Sequence, residues 1–141
     1  MKTKTKIQRT MKQIPILTDF GLGLPHGTEL SCMTRKMKEE KRRLLNSEER
    51  FESACAWLQG VEKTDDTNRR YDSYSLKHLV ERRIGGHLSN GVLIAAAIHC
   101  GFSIKQARLY PNVLFNMSED SILEKHQESL SYKKRPLEPN A

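Results

Sequence analysis

The sequence predicts a mainly helical α+β fold, a single domain with a C-terminal β-hairpin, and three features lead there. The only long apolar run, residues 92–102, carries no charge and has His99 and Cys100 as its only polarisable groups before Gly101. A helix that is apolar on every side is a buried one, so this run should form the centre of the core. Two further stretches repeat apolar residues at helical spacing: Phe51, Ala54, Cys55 and Leu58, then Leu76, Leu79, Val80 and Ile84. Finally, β-branched and aromatic residues flank Tyr110-Pro111-Asn112, as strands flank a turn. At 141 residues the chain can bury one core, but a hydrophobic share of 37% and five prolines predict that part of it stays outside.

Taken in order, residues 1–13 alternate Lys, Thr and Gln with little apolar content, which predicts a poorly ordered basic arm, either a solvated tail or a nucleic-acid arm. Residues 14–30 hold Pro15, Gly21, Gly23, Pro25 and Gly27, too many breakers for a regular element. Their Gly-Leu-Gly lacks the strand, helix and further glycine of a dinucleotide fingerprint. Residues 33–45 are strong helix formers with a thin stripe of Met33, Met37 and Leu44. Their cations read equally as a solvated face or as a phosphate-contacting one. Asn46 and Ser47 offer caps for the Phe51 helix, Asn46 and Glu49 have capping-box spacing, and Gly60 stands where a C-cap glycine would. Residues 62–72 form a polar linker without periodicity. Asp72 or Ser73 caps the Leu76 helix, Gly85 and Gly86 stop it, Ser89 or Asn90 begins the apolar helix and Gly101 ends it.

After Gly101 the preferred reading is a hairpin of residues 102–109 and 113–117, with Pro111 presetting the first central position of the turn. The rival, a helix over 104–110, would be cut by Pro111 at a length too short to be favourable alone. Residues 119–130 suit a weak helix and 131–141 a frayed tail. The resulting organisation is a basic arm and charged helix at 1–45, a compact unit at 46–118, and a terminal helix and tail at 119–141.

Charge is concentrated at one end. Residues 1–45 contain Lys2, Lys4, Lys6, Arg9, Lys12, Arg35, Lys36, Lys38, Lys41, Arg42 and Arg43 against four acids, while the other 96 residues are neutral. A polyanion should therefore engage the N-terminal third first. Cys32, Cys55 and Cys100 are odd in number and form no CxxC pair, which disfavours a disulfide framework and a zinc site and predicts reduced thiols. No continuous apolar stretch behaves as a secretion signal or a membrane span, which points to the cytoplasm.

His26, His78, His87, His99 and His126 lack metal-site spacing, and His99 reads as a hydrogen-bonded core residue. Nucleophile-elbow, metalloprotease, phosphate-loop and paired-carboxylate motifs are all missing, so nothing supports an enzyme, and neither cofactor nor metal is expected.

Residues 96–110 can also be laid on a helix-turn-helix, with Ala97 at the small position, Gly101 at the turn and Phe102 buried after it. Lys105, Gln106 and Arg108 would then face DNA, although Tyr110 stands where an aliphatic residue is usual. A register using residues 89–100 as the reading helix fails, because Val, Leu, Ile and Ala cannot read base edges. A winged variant, with the hairpin as wing and Arg82 and Arg83 nearby, stays open.

SYSLKH from Ser73, then ER, GG, SNG, IAAAIHCGF, PN and FNMS up to Ser118, resembles a family of short uncharacterised proteins of bacterial phages and plasmids. The resemblance transfers no catalytic or binding residue. It implies a mobile-element setting, where small proteins bind DNA or block a host defence complex. The expectation is therefore a small accessory or regulatory protein that binds DNA or RNA through its basic third. Its alternative is an adaptor or inhibitor that binds a host protein or nucleoprotein complex.

Overall fold

The computed structural model describes residues 1–134, with side chains as far as Glu128. Its described elements run in the order α1 (Thr3–Gln13), a 3-10 turn (Leu30–Cys32), α2 (Met33–Leu45), α3 (Glu48–Leu58), α4 (Ser73–Ile84), α5 (Asn90–His99), β1 (Ile104–Gln106), β2 (Val113–Phe115) and α6 (Glu119–Lys134). The fold is mainly helical α+β with one two-stranded antiparallel hairpin, as the sequence predicts. No described helix is long and apolar enough to cross a membrane.

Helix α5 is the axis of the molecule. Ser89 caps it by accepting from the Val92 amide at 3.1 Å, which satisfies a donor that the first turn leaves unpaired. Asn90 to Ala97 are all buried, and α1, α3 and α4 pack around them. A Cβ on Gly91 would lie 1.8 Å from the Thr18 carbonyl oxygen, so the backbone of the 14–24 loop touches α5 where no side chain fits. At the other end Gly101 takes φ +92°. There the Phe102 amide bonds the Ala97 carbonyl at 3.0 Å and the Gly101 amide bonds that of Ile98 at 3.0 Å, the paired bonds of a left-handed helix stop.

The N-terminal arm departs from expectation. Residues 3–13 are a helix, with Ile7 and Thr10 buried and Met11 and Ile14 packed against the core. The stripe is too thin to sustain a helix in water, but burial on α3 and α5 stabilises it, and the Thr10 hydroxyl donates to the Ile7 carbonyl at 2.7 Å. With Leu17 and Leu44 also fully buried, the core reaches well outside 46–118.

Residues 14–30 have no helix or strand before the 3-10 turn, yet they are tightly packed. Thr18 is buried and donates to the Gly23 carbonyl at 2.6 Å, while Leu17 bridges to Leu22. Residues 62–72 likewise do more than link: Lys63 bridges to Met117 and Asp72 to Leu114, so this segment runs along β2.

The hairpin pairs Ile104 with Phe115, Lys105 with Leu114 and Gln106 with Val113. Its tight turn spans 109–112, closed by the Asn112 amide on the Leu109 carbonyl at 2.9 Å. That bond makes Pro111 third in the turn rather than second, and the Tyr110–Pro111 peptide is cis. No helix follows Gly101 before Glu119, so the helix-turn-helix register lacks its second helix.

Asp72 caps α4 through the Ser75 amide at 2.8 Å, as expected. The Asn46–Glu49 capping box does not form: Ser47 is the N-cap of α3, and its hydroxyl donates back to the Arg43 carbonyl at 2.8 Å. α6 extends through Lys134, past the expected limit at 130; the remainder of the expected tail, 135–141, lies outside the described residues.

Candidate functional site

The cations of the N-terminal third divide into two groups. Lys4 and Lys6 turn toward α3, where they meet Glu48 at 3.8 Å and Glu52 at 2.9 Å. The Glu52 hydrogen bond raises the Lys6 pKa, and Lys6 in turn holds Glu52 below the usual carboxylate range. On α2, Arg35 pairs with Glu39 at 3.9 Å and Arg43 with Glu40 at 3.2 Å. Lys41 instead donates to the Pro15 carbonyl at 2.6 Å and the Leu17 carbonyl at 3.1 Å, fastening the loop to the helix, and burial lowers its pKa. That leaves Lys2, Arg9, Lys12, Lys36, Lys38 and Arg42, which are exposed and have no carboxylate partner at ion-pair distance among the described residues.

Lys105, Gln106 and Arg108 are exposed on β1 and the loop beyond it. Gln106 and Arg108 line a groove of about 620 Å³ together with Arg69 and Arg70, so the hairpin cations join the 62–72 segment rather than α1 or α2. Sequence reasoning passed over these two arginines, because a segment without periodicity gives no sign of what it will run beside. Asp72 also lines the groove, but the Ser75 amide and the Asn112 side chain occupy its oxygens, at 2.8 and 3.3 Å.

A second, larger pocket of about 740 Å³ opens where three segments converge. The 14–24 loop is tied to the hairpin turn by the Leu22 amide on the Pro111 carbonyl (3.2 Å) and to α5 by the Gly91 amide on the Asp19 carbonyl (3.0 Å). Ser89 donates to Asp19 Oδ1 at 2.7 Å, and Asn90 Nδ2 donates to Asn112 Oδ1 at 3.0 Å. Phe20, Tyr74 and Tyr110 supply aromatic walls. Tyr110 donates its hydroxyl to the Leu24 carbonyl, which fixes the ring.

Lys77 is the unusual member. Lysine is rarely buried unless paired, yet this one is only 5% exposed. Its ammonium lies 3.3 Å from Glu81 and 5.2 Å from the centre of the Tyr74 ring. Glu81 also accepts from the Leu88 amide at 2.7 Å and contacts His78 Nδ1 at 2.9 Å. Burial pushes the Glu81 carboxyl up, but the Leu88 amide, Lys77 and His78 together outweigh it and hold the group below its ordinary value.

The pocket was hidden in the sequence, though its pieces were not. Tyr74, Lys77, Ser89, Asn90, Pro111 and Asn112 all belong to the SYSLKH, SNG and PN stretches, and the fold brings these to one place. His99, by contrast, leaves the core: it is exposed at the end of α5, with its ring 5.6 Å from that of Phe51. Partial burial and the nearby Lys6 ammonium lower its pKa. All three cysteines are free thiols, and among the described residues no three His, Cys, Asp or Glu side chains converge as metal ligands would.

Compared with protein-family models, with curated proteins and with solved structures, the chain matches none. Any reading of its site therefore rests on the geometry above.

Proposed function

We propose that the protein is a small nucleic-acid-binding accessory or regulatory factor of a bacterial mobile element, working in the cytoplasm and engaging phosphates through the outer faces of α1 and α2. One observation carries this reading: Lys2, Arg9, Lys12, Lys36, Lys38 and Arg42 remain exposed without carboxylate partners, among the described residues, after the fold has consumed the other cations of that region. Such cations displace condensed counterions from a phosphate backbone, a contribution that does not depend on base sequence. Arg69, Arg70 and Arg108 form a second basic patch, in the hairpin groove. Specificity then belongs to whatever side chains reach the bases.

The test is equilibrium binding to duplex DNA and to RNA over a salt series. Deleting residues 1–45 would strip Ile7, Leu17 and Leu44 from the core, so charge substitutions are the informative variants. Lys36→Ala, Lys38→Ala and Arg42→Ala combined should weaken binding uniformly across sequences. The same triple variant should flatten the logarithmic salt slope by about 0.9 for each duplex phosphate that it no longer neutralises. A full chain that binds no nucleic acid at about 50 mM salt rejects the reading.

A further inference from the structure

We propose that the 740 Å³ pocket receives an unpaired nucleobase from a single strand whose phosphates run along the adjoining arginine groove. This deepens the nucleic-acid reading and rests on it. Leu109, 67% exposed, belongs to the walls of both cavities, so the two open side by side on the hairpin turn. One side offers Arg69, Arg70 and Arg108 and the other Phe20, Tyr74 and Tyr110. A cationic track beside aromatic faces is the arrangement that single strands need, because phosphates seek charge and unstacked bases seek a ring to lie on. Arg70 pairs with Glu119 at 3.0 Å, but that pair is on the surface and exchanges readily for a phosphate.

The polar groups of the pocket narrow the choice of base. Asn90 is 7% exposed, and its Nδ2 is engaged by Asn112 and by the Phe20 carbonyl, while its Oδ1 has no hydrogen-bond partner among the described residues. A buried acceptor without a donor is costly, but this one has no accessible surface, so the acceptors a base would meet come from elsewhere in the lining. Asp19 and Glu40 add carboxylate acceptors to the same lining. These two carboxylates favour a base with an exocyclic amine, such as cytosine or adenine, over thymine or uracil. A free nucleotide presents the same chemistry, so the experiment must separate the two sources.

Fluorescence anisotropy on the full chain, with labelled oligo-dC, oligo-dT and an abasic strand of equal length, makes the separation. Oligo-dC should bind about tenfold or more tighter than the abasic strand, with oligo-dT between them. Tyr74→Ala, at a residue 51% exposed and so outside the core, should remove most of that advantage. Arg108→Ala should weaken all three strands alike and reduce the salt slope by about 0.7. Equal affinity for oligo-dC and the abasic strand overturns the base pocket while leaving electrostatic binding intact. Cytidine monophosphate binding as tightly as oligo-dC overturns the strand and assigns the pocket to a free nucleotide. If neither strands, duplex nor nucleotide bind, this inference and the proposed function fall together.

Discussion

Lys77 and Glu81 set the local terms for the end of α4. The carboxylate receives the ammonium of Lys77, the amide of Leu88 and His78 Nδ1, so it ties the helix to the start of the next one. Replacing Glu81 by Ala leaves a buried cation without its partner, a change that typically costs about 3–5 kcal/mol. Glu81→Gln keeps the shape and loses the charge, and should cost about 1–3 kcal/mol at neutral pH. The pH dependence follows from the direction of the shift. A carboxyl held below its unfolded pKa of 4.5 stabilises the protein at every pH above that value, and the contribution is lost as pH falls through the lower folded value. Urea denaturation of wild type and Glu81→Gln should therefore differ most near neutrality and draw together as pH falls from the unfolded value through the lowered folded one. A constant difference across that range would mean that the ionised form contributes nothing.

Helices α1 and α5 illustrate two ways in which an element becomes stable. α5 is apolar from Gly91 to Ile98, and its small residues let neighbouring backbones come close. Ala96 and Ala97 are fully buried, so substituting either with Leu should overpack the contacts and cost about 1–3 kcal/mol, read as a lowered thermal midpoint. α1 is polar on most of its surface and depends on a few apolar residues. Ile7→Ala should cost about 2–5 kcal/mol, because a wholly buried side chain leaves a cavity. An unchanged melt would show that residues 3–13 do not dock. The contrast explains what could be read in advance. α5, α4 and the hairpin announce themselves through local periodicity, caps and turn residues. α1 does not, because Ile7, Thr10, Met11 and Ile14 only become a stripe when another surface is there to bury them. Composition averages over both faces of such a helix and returns its solvent face.

At the scale of the whole molecule, the cations of the N-terminal third were legible in the sequence, while Arg69, Arg70 and the pocket were not. Arg108 and Gln106 are picked out through a helix-turn-helix register that the fold does not form, whereas the pocket walls come from positions between Asp19 and Asn112, brought together by backbone bonds from one loop to α5 and to the hairpin turn. Charge is a property of residues, but concavity is a property of their arrangement. The docking of α1 on α5 has one further consequence, for synthesis. Residues 3–13 leave the ribosome before their packing surface at 90–99, which is made some eighty residues later. At roughly 5–20 residues per second the nascent chain spends on the order of ten seconds with its basic N-terminus undocked from α5. A helix so short is marginal on its own, so during that interval this basic segment has only the surfaces of α2 and α3 to dock on, and its full packing site is complete only once α5 has emerged.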